Sequence, residues 1–208
     1  MSASDHLIPV VVSRVVEVNS IIKRFEFKHI HGDELPAFSG GAHIVVEMLD
    51  GPTKRKNAYS LMSSPFDRDQ YAISVRRDDN GRGGSKFMHE KVEPGMRMNI
   101  SAPVNLFALD LRARKHLMIA GGIGITPFIA QMTQASSLGV PFELHYAARS
   151  ASQAAYMDSL QDRFGDHVRC YCDDAGGGPD LTALLSDQPL GTHVYVCGPK
   201  GMIEAVVQ

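Results

Sequence analysis

The sequence predicts a chain in two parts, a β domain followed by an α/β domain with a doubly wound parallel sheet. Three observations lead there. Residues 8–105 are short runs of Val, Ile, Phe and Tyr broken by Gly, Pro, Asp and Ser, the punctuation of an antiparallel barrel or sandwich. From residue 116 strand-length apolar runs alternate with helix-length segments, which is the pattern of βαβ units with helices on both faces of a sheet. Between the two textures lies the polar stretch Leu109–Lys115, LDLRARK, which divides the chain into domains 1–110 and 111–208.

In the first domain the apolar runs predict strands at Ile8–Val18, Ile22–His29, His43–Met48, Ala58–Met62, Tyr71–Arg76 and Met96–Ile100. A helix fits Ser85–Val92, with Ser85 as its N-cap and Glu93-Pro94-Gly95 as the turn that ends it. In the second, strands are expected at His116–Ala120, Phe142–Ala148, Val168–Cys172 and His193–Cys197, with helices at Pro127–Ser137, Ser152–Phe164 and Leu181–Leu185. The closing IEAVVQ reads as an uncapped helix, so more chain is expected beyond Gln208.

Composition narrows the function. Hydrophobic residues are 44% and charged residues 21% of the 208, the balance of a globular protein. The formal net charge of −2 gives no basic excess for nucleic acid, so no nucleic-acid partner is expected. No apolar run reaches the roughly 18–20 residues of a membrane span, and the first residues lack the basic and small-residue marks of a signal peptide. Three cysteines are too few for a disulfide framework, and a cytoplasmic location follows. Cys170 and Cys172, like His29 and His31, are expected to point to opposite faces, and no metal site is expected.

Three motifs carry chemistry. Ala120-Gly121-Gly122-Ile123-Gly124-Ile125-Thr126-Pro127 follows a strand and opens a helix, where glycines and free N–H groups suit a pyrophosphate. The third glycine of a full dinucleotide fingerprint is absent, so a plain βα turn stays open. His193–Cys197 ends in Gly198-Pro199-Lys200-Gly201-Met202, placing Cys197 at a carboxyl strand edge as a ligand neighbour or a small buried hydrophobe. In the β domain, Asn57-Ala58-Tyr59-Ser60-Leu61 precedes Val75-Arg76-Arg77 and the loop Gly81-Arg82-Gly83-Gly84-Ser85, an anion cradle by geometry or an ordinary hairpin connection.

AYSL, VRRDDNGRGGS, AGGIGITP and VCGPKGM occur in this order, and together they resemble the ferredoxin–NADP reductase superfamily. Within it the chain resembles the branch of phthalate dioxygenase reductase and vanillate demethylase reductase. The resemblance implies an antiparallel Greek-key flavin-binding barrel, a pyridine-nucleotide domain, and FMN as the flavin. It puts Tyr59 against the flavin, the Ser60 hydroxyl near N5, and Val75 and Arg76 along the pyrimidine side, with Ala58, Leu61 and Arg77 also among the cofactor-binding residues. Gly81, Arg82, Gly83, Gly84 and Ser85 would hold the FMN phosphate. Asn57 stands where the family has Arg, and Arg55, Lys56 and Arg82 are the cations that can compensate, Arg55 from the same strand face. Gly122, Ile123, Gly124, Ile125 and Thr126 would hold NADH, and Cys197, Gly198, Pro199 and Met202 would lie by the nicotinamide. Ser60, Thr126 and Cys197 are the residues assigned to the hydride transfer itself.

Cofactor choice turns on the ribose, where Asp173 and Asp174 favour NADH and Arg149 leaves NADPH open. The family's fifth sheet strand and its [2Fe–2S] domain have no counterpart in this sequence, and both are expected past Gln208 if at all. The implied function is hydride transfer from NADH to FMN and single-electron delivery, through that domain, to a terminal Rieske-type oxygenase or demethylase acting on an aromatic or similar small substrate. A standalone NAD(P)H:flavin or ferric reductase is the alternative within enzymes, and a nucleotide-binding module the alternative outside them.

Overall fold

A computed structural model describes residues 7–207; the expectations for residues 1–6 and for Gln208 lie outside the described residues. The first half is a six-stranded antiparallel sheet of β1 (Ile8–Asn19), β2 (Ile22–His29), β3 (His43–Asp50), β4 (Thr53–Ser60), β5 (Tyr71–Arg76) and β6 (Arg97–Ile100), in the order β4-β3-β6-β1-β2-β5. The edges meet just past β4, where the Met62 N–H donates to the Ala72 carbonyl at 2.9 Å, so the sheet rolls into a barrel rather than a sandwich. Strand alternation fills it: Phe25 and Phe27 of β2, Ile44, Val46 and Met48 of β3, and Tyr71, Ile73 and Val75 of β5 all point inward. Helix α1 (Gly84–Lys91) adds Phe87 and Met88 to this core.

The second half is a parallel sheet in the order β10-β7-β8-β9, built from β7 (Lys115–Gly121), α2 (Thr126–Leu138), β8 (Phe142–Ala148), α3 (Met157–Phe164), β9 (Val168–Cys172), α4 (Leu181–Ser186), β10 (Thr192–Cys197) and α5 (Lys200–Val207). The chain steps from β7 to β8 to β9, then returns to lay β10 on the other side of β7. That reversal creates a crevice at the carboxyl ends of β7 and β10, where such sheets bind ligands.

The two halves are packed together. Ala72 and Met62 of the barrel belong to the same apolar cluster as Phe128, Met132 and Leu160 of the second half. The Ser39–Gly41 loop lies on α2, and the Gly40 N–H donates to Gln134 Oε1 at 2.6 Å. A Cβ on Gly40 would sit 2.6 Å from the Gln131 Cα, so only glycine lets the loop come this close.

Four local expectations are corrected. β4 starts at Thr53, not Ala58, because backbone pairing with β3 carries the strand through Lys54-Arg55-Lys56 after the two-residue turn at Gly51-Pro52. Ser85 is not the N-cap of α1; Gly83 holds that position at φ 87°, and the Ser85 hydroxyl accepts from the Asp78 N–H at 3.0 Å. Helix α3 starts at Met157 rather than Ser152, since residues 151–153 make a 3₁₀ turn and Tyr156 adopts a left-handed conformation. The paired cysteines do not diverge: a strand repeats every two residues, so Cys170 and Cys172 share a face and both lie beside Tyr146. His29 and His31 likewise meet edge to face at 5.7 Å. Among the described residues no group of three or more His, Cys, Asp or Glu could hold a metal ion.

Candidate functional site

The residues after β7 and those after β10 interlock. A Cβ on Gly124 would run into the Cys197 carbonyl, one on Gly121 would sit 2.6 Å from Pro199 Cδ, and one on Gly198 would sit 2.9 Å from Met202 Sδ. These glycines therefore let two loops pack backbone to backbone. Gly122 differs: it has φ 54° and nothing within 4 Å of its missing side chain, so its backbone faces open space. At Gly124 the group that a side chain would meet is protein, the Cys197 carbonyl.

The interlocked loops floor a cleft of about 740 Å³. Gly121, Gly122, Ile123, Gly124, Cys197, Gly198, Pro199 and Met202 form its base, and Arg149, Asp173 and Leu181 form its far end. Ile21, Ile22 and Arg76 make the wall on the barrel side, so the cleft runs from one half of the molecule to the other. Burial pushes the Cys197 thiol above its ordinary range, so it faces the cleft as an uncharged group at neutral pH. The Thr126 hydroxyl donates to the Ile123 carbonyl at 3.1 Å and is not part of the cleft lining. Ile125 is fully buried. The Thr126 hydroxyl thus helps to shape the turn.

A second cradle lies on the barrel. Arg55, Asn57 and Tyr59 alternate along one face of β4, and Asn57 Nδ2 donates to the Tyr59 hydroxyl at 3.1 Å. That face meets the start of α1. Arg55 Nε lies 3.2 Å from the position a Cβ on Gly83 would take, and a Cβ on Gly84 would strike the Asn57 amide. The α1 first turn carries no acidic residue and no side-chain cap. Free helix N–H groups, a left-handed glycine and a guanidinium beside them suit a phosphate, so the residues present fit a flavin's phosphate. Burial raises the Tyr59 phenol, which stays protonated.

Other expected residues are placed as follows. Arg77 is engaged by Asp79 at 2.8 Å and Glu90 at 2.7 Å, so its guanidinium braces the loop that Gly81 and Arg82 continue. Leu61 and Val75 have their side chains sealed in the barrel core, leaving only backbone groups for a ligand. Ala58 and Ser60 lie on the opposite face of β4 from Tyr59, and Ser60 pairs with His43 across the ladder. Arg76 lines the cleft, with Ile22 opposite it across the β2–β5 ladder. Sequence reading missed Ile21, Ile22, Ala147, Ala148, Gln153, Gly178, Pro179 and Leu181. Ala147 and Ala148 were within reach, because the end of every strand in such a sheet borders the crevice; the Ile21–Ile22 wall is brought there by domain packing alone.

Residues 98–208 match the family described as dimethylamine monooxygenase subunit DmmA-like, N-terminal domain. The carnitine monooxygenase reductase subunit of Acinetobacter baumannii is 48% identical over 207 residues, covering 100% of this chain and 64% of its own length. The vanillate O-demethylase oxidoreductase of a Pseudomonas species is 40% identical over 207 residues, covering 97% of this chain and 63% of its own length. The structure of phthalate dioxygenase reductase, described as modular and as transferring electrons from pyridine nucleotides to [2Fe–2S], superposes with a TM-score of 0.91 at 32% identity, over 97% of this chain and 63% of that one. This chain therefore spans less than two thirds of the length of these relatives. On its match over residues 98–208 and its barrel-plus-sheet architecture, the chain belongs to the DmmA-like N-terminal domain family, with the fold of the ferredoxin–NADP reductase superfamily.

Proposed function

We propose that this chain is the flavin and nicotinamide part of an oxygenase reductase, an enzyme that draws hydride from NADH and feeds single electrons to a terminal Rieske-type oxygenase or demethylase. The observation that carries this reading is a pair of anion cradles, one in each half of a molecule whose two halves both contribute residues to one cleft. The names of the relatives, reductase components of carnitine and vanillate oxygenase systems, support the partner class, and a [2Fe–2S] domain in the remaining third of such proteins is the proposed relay. Residues 1–110 form the proposed flavin domain and 111–208 the nucleotide domain.

FMN is the proposed flavin and NADH the proposed nucleotide. When bound, a flavin accepts hydride and releases electrons one at a time, so the protein's own work is to bind, orient and exclude water. Arg55, Asn57, Gly83 and Gly84 hold the phosphate, and Tyr59 packs on the ring with Ser60 at the strand end beside it. Arg76 and Arg149 place positive charge on opposite sides of the cleft for a pyrophosphate, while Asp173 accepts from a free ribose hydroxyl and repels a 2′-phosphate. Cys197 offers a small neutral surface to the nicotinamide.

The test is optical. The purified protein is yellow, takes up FMN in preference to FAD, and is bleached anaerobically by NADH with a lower KM than by NADPH. A colourless protein that takes up no flavin overturns the reading; preference for FAD or NADPH overturns only that cofactor assignment.

A further inference from the structure

Tyr156 is the one non-glycine residue with positive φ among the described residues, at 70°. An aromatic side chain disfavours that conformation, so surrounding contacts must hold it there. Those contacts cross between the two halves. The Tyr156 hydroxyl and the Ser74 hydroxyl of β5 are 2.5 Å apart, and Ser74 also reaches Met62 Sδ at 3.1 Å. Ser74 is 5% exposed and Tyr156 packs against the apolar cluster of the second half. Just before it, the Ala155 N–H donates to the Tyr146 hydroxyl of β8 at 3.2 Å. The segment after β8 is thus pinned twice in succession, once to its own sheet and once to the barrel.

The position of this bond in the ladder gives it significance. On the outward face of β5, Ala72 packs into the second core, Ser74 meets Tyr156, and Arg76 lines the cleft. Arg24 and Ile22 of β2 stand opposite Ser74 and Arg76. The hydroxyl pair therefore lies one ladder step below the wall of the cleft. On the other side of the cleft, the segment that Tyr156 ends also carries Arg149 and Gln153. We propose that Tyr156 is a positioning residue whose hydroxyl, clasped to Ser74, sets the width of the cleft between the Ile22–Arg76 wall and the Arg149–Gln153 segment, and so the approach of the nicotinamide to the flavin. This rests on the reductase reading above.

The experiment is stopped-flow anaerobic reduction by NADH of the flavin-loaded protein, for wild type, Tyr156→Phe, Ser74→Ala and the double variant. Tyr156→Phe keeps the ring and removes only the clasp. Each single variant slows flavin reduction at saturating NADH by about tenfold, the scale of a modest misplacement of reactants, while flavin content and Tm stay near wild type. The double variant is no slower than either single one, because both remove the same bond. Dithionite reduction of the flavin, which needs no nicotinamide, is unchanged. Rates within twofold of wild type in the single variants, or effects that multiply in the double, overturn the proposal, as does a slowing matched by loss of flavin. A wild type that NADH does not reduce refutes the reductase reading instead.

Discussion

The Arg55 guanidinium stands against Gly83, with Nε 3.2 Å from the place a Cβ there would occupy, and Nε also donates to the Arg82 carbonyl at 3.2 Å. Arg55 is two residues before Asn57 and shares its strand face, so a cation stands beside the amide at the start of α1. Asp50 holds the same guanidinium from the hairpin side at 3.2 Å.

Arg55→Ala is accordingly expected to weaken FMN binding by about 10–100-fold, the worth of a charge-assisted hydrogen bond. Riboflavin, which lacks the phosphate, serves as the control and binds within about twofold of wild type on the same scale of reasoning. Fluorescence titration of the apoprotein with both ligands measures this. Equal losses for the two would remove the phosphate from the Arg55 site.

At the other cradle, Gly124→Ala forces a methyl into the Cys197 carbonyl. Backbone on both sides leaves no flexible atom to yield, so the loops after β7 and β10 must part. Overpacking of this kind destabilises by about 1–3 kcal/mol. The KM for NADH is expected to rise at least about tenfold, a factor equal to about 1.4 kcal/mol, with bound flavin retained. Thermal unfolding and steady-state kinetics check the two halves of the prediction separately.

His116 is fully buried on β7 and, among the described residues, neither of its ring nitrogens has a hydrogen-bond partner. Burial and the nearby His193 lower its pKa, against a smaller pull from Asp110. The unfolded chain thus takes up this proton near pH 6.5 while the folded one resists until lower pH. The stability is present above pH 6.5 and is lost as pH falls below it. His116→Leu is expected to reduce the fall in Tm between pH 7 and pH 5 by about 2–4 °C, the shift made by about 1 kcal/mol in a chain of this size. A fall as steep as that of wild type would place the acid sensitivity elsewhere.

The raised thiol of Cys197 makes it slow to alkylate at pH 7 and faster as pH rises past its ordinary range. Because it lines the cleft, NADH is expected to protect it by about tenfold or more when present at ten times its Kd, since protection follows occupancy. Peptide mass spectrometry after iodoacetamide treatment separates it from Cys170 and Cys172. Labelling that nucleotide leaves unchanged would move Cys197 out of the nucleotide site.

Much of the architecture was legible because periodicity reports burial directly. The strand period of two in β2, β3 and β5 is the barrel interior itself, and the change to βαβ spacing marks the second half. Turn chemistry was less legible. Ser85 has the composition of an N-cap, but Gly83 takes the position because the chain there needs φ 87°. The charged run of β4 carries no apolar signal, since pairing with β3 rather than burial makes it a strand. The cradle residues were visible as motifs; the physical reason for Gly124 was not, because the atom that excludes a side chain belongs to Cys197, more than seventy residues away.

The sequence by itself determined the two halves, their strand and helix content, and which short segments could cradle an anion, because each of these follows from contacts between near neighbours in the chain. Only the tertiary structure decided that Ile21, Ile22 and Arg76 face Arg149 and Gln153 across one cleft, and that Tyr156 reaches Ser74 one ladder step below its wall. Those pairings form when one packed half docks on the other, and no local preference along the chain encodes the orientation of two cores.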